Sequence, residues 1–206
     1  MDETTGLRER KKAATRLALH EAALRLAAEQ GFDAVTVEAI ADAANVSRRT
    51  FSNYFSSKEQ ALFHGDTTRL HRLLQLIREQ PLDEPPWTVL SRAAERLTEE
   101  MFGGSGPAWL GQRRKLRGQP GLAPHQVAAY AAIERELAAE LAHRLSDADV
   151  ALRSRLLAAT FLAILRVAVQ HWIEHPGDPL LETVRTALAE AAPVATLGGH
   201  RTTTGT

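Results

Sequence analysis

Nearly every periodic stretch of this chain repeats its apolar residues at spacings of three and four, and no segment alternates β-branched and polar residues as a half-buried strand would. The periodic stretches are rich in Ala, Leu, Arg and Glu, which lose little on entering a helix. The chain is therefore read as all-α. A first helix is placed over about 7–30, with Leu17, Ala18, Ala22, Leu24 and Leu26 on its apolar face, and it stops at Gly31, where a left-handed cap costs least. Thr36 and Ser47 are placed as N-caps of two short helices over 37–44 and 48–55. Ser57 with Gln60, or Ser56 with Glu59, offers a capping box for a long helix reaching about residue 80.

The segment 81–86 holds three prolines and two acids and cannot continue that helix. Beyond it, helices are placed over 87–102, 108–118, 124–145, 147–175 and 179–192, with Gly and Pro between them, and no internal repeat is present. The last two are the most apolar. Leu156, Leu157, Phe161, Leu162, Leu165 and Val169 form a stripe wider than one neighbouring helix covers, so a second copy of the chain is expected against it. The polar, Gly- and Thr-rich tail is read as disordered.

With 206 residues and 44% hydrophobic content the chain can bury a sizeable core. The absence of cysteine excludes disulfides, thiolate zinc sites and cysteine nucleophiles, and fits a cytoplasmic location, on the nucleoid when bound to DNA. The N-terminus is polar, and no apolar run is read as approaching the roughly 18 residues of a membrane span, so no membrane partner is expected. The 25 basic and 25 acidic residues balance, which makes any nucleic-acid site local. Positive charge gathers in two islands. Residues 7–16 carry five basic groups and one acidic, residues 43–58 carry three and none, and residues 17–42 between them carry one and five.

The second island contains VEAIADAANVSRRTFSNYF, from Val37 to Phe55. A helix-turn-helix crosses two short helices steeply, so it needs apolar contacts at fixed places and a small residue where the backbones touch. Ile40, Ala44, Val46, Phe51 and Tyr54 are placed for the shared core, and Ala41 is the small residue at the crossing. Asn45 occupies the turn, where it tolerates a left-handed conformation second only to Gly. That packing leaves Arg48, Arg49, Thr50, Ser52 and Asn53 exposed on the second helix, residue types that hydrogen-bond to base edges and phosphates. For Arg8, Arg10, Lys11, Lys12 and Arg16 two readings stand open: a solvated face, or an arm approaching the DNA backbone or minor groove.

The stretch GFDAVTVEAIADAANVSRRTFSNYFSSKEQAL resembles the DNA-binding region of the TetR family of regulators, over about residues 10–65. The resemblance implies an all-α dimer with three N-terminal helices for DNA and a divergent remainder that binds ligand and dimerises. By position it implies phosphate contacts from Thr36, Tyr54 and Lys58, and a groove-facing set of Arg48, Arg49, Thr50 and Asn53. Asn45 stands where the family usually has Gly and Ser52 where it usually has Tyr, so the packing and phosphate contact of that Tyr are not carried over. Arg48-Arg49-Thr50-Phe51 is also similar to the paired Arg before Thr-Phe in regulators of the mycofactocin type. The expected organisation is a helix-turn-helix domain with its arm over 1–58, a helical bundle for ligand binding and dimerisation over 59–195, and a tail over 196–206. The expected partners are double-stranded operator DNA, a small hydrophobic or acyl-like effector and a second copy of the chain. The expected logic is repression from a palindromic operator, released by effector.

For the effector, Met101, Trp109, Tyr130 and Phe161 are the candidate pocket residues, although large apolar side chains at helical spacing are more often core. Arg113 and Arg117, in the basic stretch GQRRKLRGQPGL, would meet an anionic group on it. Leu156, Leu162, Val169, Leu181, Val184 and Leu188 are the candidate dimer interface. His171 to His175, HWIEH, matches an inverted zinc-peptidase string, but it abuts Pro176 at a helix end and no third ligand follows, so neither metal, cofactor nor catalytic residue is expected. Two rivals are weighed against this reading. One is a regulator-like protein with a degenerate DNA head that acts through protein contacts, suggested by Asn45 and Ser52; the other is a metal-dependent hydrolase using His171, Glu174 and His175.

Overall fold

The computed structural model describes residues 3–102, 116, 123–145, 149–175 and 177–196. Among the described residues the regular structure is all helix, with no strand: α1 (Glu3–Gln30), α2 (Val37–Ala43), α3 (Arg48–Tyr54), α4 (Lys58–Leu62), α5 (His64–Arg78), α6 (Pro86–Phe102), α7 (Ala123–Ala142), α8 (Val150–Glu174) and α9 (Leu180–Thr196). The all-α expectation holds. Apart from Leu116, the helix expected over 108–118 lies outside the described residues, as does the tail from residue 197.

The chain forms two compact units, one of residues 1–68 with 107–129 and one of residues 69–106 with 130–206. In the first, α1 buries Leu19, Ala22, Ala23 and Ala27, a face whose small side chains admit close neighbours. Ile40 and Ala41 of α2, Phe51 of α3, Ala61 and Leu62 of α4, the connecting Phe32, Val35 and Phe55, and Leu116 complete this core. Gly31 ends α1 with φ 85°, its N–H donating to the Ala27 carbonyl at 3.1 Å, as a left-handed cap requires.

One expectation is corrected here. The single long helix read from residue 57 to about 80 is broken at Phe63, which separates α4 from α5. Two residues earlier the Ala61 carbonyl accepts from His20 Nδ1 at 2.8 Å, a tertiary bond that draws this acceptor toward α1. A carbonyl only accepts, so Nδ1 carries the proton.

In the second unit, α9 packs against α8 and α6. Leu73, Leu74 and Ile77 of α5, Val89, Leu90 and Ala93 of α6, Leu137 and Leu141 of α7, and Leu157, Phe161 and Trp172 of α8 form its interior. Phe161 meets Trp87 edge to face at 6.2 Å, a geometry that aligns ring edge with ring face. Arg144 donates to the carbonyls of Ile77, Gln80 and Pro81 and so satisfies the C-terminal end of α5 before the proline-rich corner. Arg72 forks onto Glu100 at 2.8 and 2.7 Å, and Arg185 reaches Glu95 at 2.9 Å.

Two further readings are corrected. Val184 and Leu188, expected at the dimer interface, are 2% and 3% exposed, enclosed by α9 packing within its own unit. Leu162, Val169 and Leu181 are half-buried and Leu156 is exposed. The reading that no apolar run approaches a membrane span also fails at α8, where an 18-residue window has mean hydropathy 1.7, enough by length and composition to cross a bilayer. Thr160 and Arg166 interrupt the run and hide it from a count of consecutive apolar residues. Only 33% of that window is buried inside the unit, so α8 is apolar on more sides than its own unit covers.

Candidate nucleic-acid interface

The helix-turn-helix is assembled by its caps and its turn. Thr36 Oγ1 accepts from the Ala39 N–H at 3.1 Å and starts α2. Ser47 Oγ accepts from the Thr50 N–H at 3.0 Å, pairs with Thr50 Oγ1 at 2.8 Å and starts α3. Between the helices Asn45 adopts φ 55°, the left-handed region, and the Val46 N–H closes the turn onto the Ala41 carbonyl at 2.9 Å. Ile40, Ala41 and Phe51 are buried, with Ala44, Val46 and Tyr54 packed at the margin of the same core.

This packing leaves Arg48, Arg49, Ser52 and Asn53 exposed on α3, with Thr50 and Tyr54 half-exposed. Arg49 has no ion-pair partner among the described residues. Arg48 does, through Nε to Glu38 Oε1 at 3.1 Å. Ser52 Oγ donates to the Arg48 carbonyl at 3.2 Å, which leaves its lone pairs outward as acceptors. The cap leaves the Thr36 hydroxyl hydrogen available to an outside acceptor.

The structure turns Lys58 inward, against the expectation that it touches phosphate. Its ammonium carries three donors, and it lies 3.0, 3.4 and 2.9 Å from the carbonyls of Phe32, Asp33 and Val35. It also sits 4.4 Å from the centroid of the Phe32 ring. Lys58 thereby pins the α1–α2 connection to the start of α4, and a phosphate would have to displace one of these carbonyls.

The arm becomes specific at the same time. Continuous helix from Glu3 puts Arg8, Lys11, Lys12 and Thr15 at helical spacing along one side of α1. They line a groove of about 910 Å³ with Thr50, Asn53 and Tyr54 of α3, and Leu7 and Glu9 complete its wall. Three cations beside the exposed face of α3 make an electropositive channel that suits a phosphate backbone. The sequence marks Arg8, Lys11 and Lys12 only as part of a basic run with Arg10 and Arg16; Thr15 and the neighbouring α3 residues join them only through the tertiary fold.

Behind this surface lies a cluster that residue patterns did not reveal. The His64 ring packs edge-on against His20 at 5.8 Å and Phe55 at 5.3 Å, and Arg16 lies over Tyr54 and Phe55 at 5.8 and 6.0 Å. Burial, then the nearby His20 and Arg16 charges, push the His64 imidazole below its ordinary value.

The other candidate residues are dispersed. Met101 is half-buried, Tyr130 is exposed and Phe161 is enclosed against Trp87. Trp109, Arg113 and Arg117 lie outside the described residues. The His171 and His175 rings stack at 4.3 Å, with His175 Nδ1 turned to the His171 carbonyl at 3.0 Å, so that nitrogen is engaged by backbone.

Comparison with known proteins agrees with this geometry. Residues 19–64 match the family described as bacterial regulatory proteins, tetR family, and residues 84–196 match the MftR C-terminal domain. The chain is 31% identical over 192 residues to the HTH-type transcriptional regulator TcmR of Streptomyces glaucescens, covering 90% of this chain and 84% of that protein. It is 26% identical over 182 residues to the mycofactocin biosynthesis transcriptional regulator MftR of Mycobacterium tuberculosis, covering 86% and 89%. Thermus thermophilus FadR, a TetR-family transcriptional repressor solved with lauroyl-CoA, shares the fold with a TM-score of 0.52 at 24% identity, covering 93% of this chain and 100% of that one. The chain is therefore a DNA-binding transcriptional regulator belonging to the TetR family of bacterial regulatory proteins, with an MftR-type C-terminal part.

Proposed function

We propose that this regulator is a homodimeric repressor whose two α3 helices enter successive major grooves of a pseudo-palindromic operator, and that a small apolar or acyl-like effector releases it. The observation that carries the DNA half is the exposed Arg48, Arg49 and Asn53 face of α3 beside the cationic channel of Arg8, Lys11 and Lys12. Arg and Asn are the side chains whose paired donors and acceptors fit guanine and adenine edges, while the channel supplies sequence-independent phosphate contacts. Thr36, Thr50, Ser52 and Tyr54 are assigned to the same surface, and Lys58 to holding it in shape.

The dimer half rests on α8. Leu152, Leu156, Ala159, Ala163 and Val167 follow at steps of three and four, and Leu152, Leu156 and Val167 are 55%, 57% and 55% exposed. A seam of that kind is stable in water only when another helix covers it. A second α8 is the natural cover, with Leu162, Val169 and Leu181 at its margins, and operator recognition requires the two α3 helices of the dimer to lie roughly 34 Å apart, one turn of DNA. The effector class is supported by the aliphatic interior of the second unit, and the acyl group by the lauroyl-CoA bound to the FadR relative.

Fluorescence anisotropy at several salt concentrations, on the upstream intergenic fragment and a scrambled control, tests the reading. Salt-dependent preference for the native fragment, lost on adding lauroyl-CoA or a related acyl-CoA, is expected. Equal binding to both fragments refutes operator recognition. Preference that survives every acyl-CoA shown by calorimetry to bind refutes the effector assignment.

A further inference from the structure

The two adjacent arginines that open α3 are not equivalent. Arg48 is the first residue of the helix and forms an ion pair with Glu38, the second residue of α2, with Nε 3.1 Å from Oε1. Arg49 points elsewhere, about 100° around the helix, and is untethered among the described residues. Both ends of the pair are open to solvent, with side chains 72% and 54% exposed. An ion pair so exposed adds little to folding, so its consequence is sought in what it does to Arg48.

A free arginine side chain has many rotamers and loses them on docking. The ion pair at Nε favours the rotamers that keep Arg48 beside Glu38 and leaves Nη1 and Nη2 as a fork of donors, which matches the paired O6 and N7 acceptors of guanine. The carboxylate has a second effect. It places a negative charge at the mouth of the interface, where any register that denies Arg48 its acceptors sets Glu38 against DNA with nothing gained.

Resting on the reading of α3 as the groove-entering helix, we infer that Glu38 is a specificity-determining positioning residue: it braces Arg48 to read a guanine and penalises non-cognate DNA. Its removal frees Arg48 to take a phosphate. Sequence-independent affinity then rises while discrimination falls.

The experiment compares wild type, Glu38→Gln, Arg48→Ala and the double variant on a selected operator fragment and a scrambled one, across salt, with circular dichroism confirming folding. Glu38→Gln is expected to bind scrambled DNA more tightly, to steepen the log–log salt slope by about one, and to lower the operator-to-scrambled ratio roughly 3- to 10-fold. In the Arg48→Ala background the same substitution is expected to leave the ratio unchanged, because there is nothing left to brace. An unaltered ratio in Glu38→Gln, or an equal fall with and without Arg48, overturns the inference while operator recognition stands. A wild type with no preference between the two fragments overturns operator recognition itself, and the inference with it.

Discussion

Lys58→Met separates a structural role from a DNA contact at the residue where fold and family position disagree. The ammonium holds two good bonds, to Val35 and Phe32 at 2.9 and 3.0 Å, and a longer one to Asp33 at 3.4 Å. Charge-assisted hydrogen bonds to backbone are worth about 1.5–3 kcal/mol each when well shielded, but this site is half-exposed and the freed carbonyls can rehydrate. Contact with the Phe32 ring adds about 0.5 kcal/mol, and relief of a cation at the first turn of α4 returns about 0.3–1 kcal/mol. A net loss of about 2 kcal/mol follows, which for a protein of this size lowers Tm by about 4–8 °C. Circular dichroism melts measure that loss, and anisotropy against salt measures DNA binding in the same variant. The staple role predicts the fall in Tm with an unchanged salt slope for the folded protein. If Tm instead stays within a degree of wild type while the slope drops by about one, Lys58 is a phosphate contact and the argument from its inward bonds is wrong.

His64, held neutral by burial and by the His20 and Arg16 charges, takes up its proton only below the ordinary imidazole value of about 6.5, so the unfolded chain protonates first. Stability present above that value is expected to fall as pH drops below it, with His64→Gln flattening the dependence in melts between pH 7.5 and 5.5; equal slopes in both proteins would reject the cluster as the cause. Asn45→Gly is expected to leave stability the same or slightly higher, and Asn45→Ala to lower it by about 1 kcal/mol, because only the alanine is strained at φ 55°. Urea titrations of the two variants decide this, and indistinguishable midpoints would contradict it. Leu156→Glu with Val167→Glu is expected to convert a dimer to a folded monomer in sedimentation velocity, since both side chains are outside the core; a dimer that persists places the interface elsewhere.

The helix-turn-helix was legible in the chain because its determinants are local. Thr36, Asn45 and Ser47 act on backbone groups within three or four residues of themselves, and Ile40, Ala41 and Phe51 follow from helical spacing alone. Lys58 was not legible, because its partners lie 23 to 26 residues earlier and a lysine at the start of a helix beside a basic island has every local reason to face DNA. Glu38 was hidden for the same reason: an acid in a first turn is already explained by the helix dipole, and only the crossing of α2 and α3 brings it to Arg48. The dimer residues divide along the same line. Apolar spacing marks a helix face that must be covered but not by whom, so Leu156 and Val184 looked alike in sequence, although α6 and α8 cover α9 within the unit and leave Leu156 to solvent. What covers an apolar face, and what a charged side chain grips, are properties of pairs of elements. In this regulator those pairings decide which cations on the head are free to meet DNA and which are held to shape it.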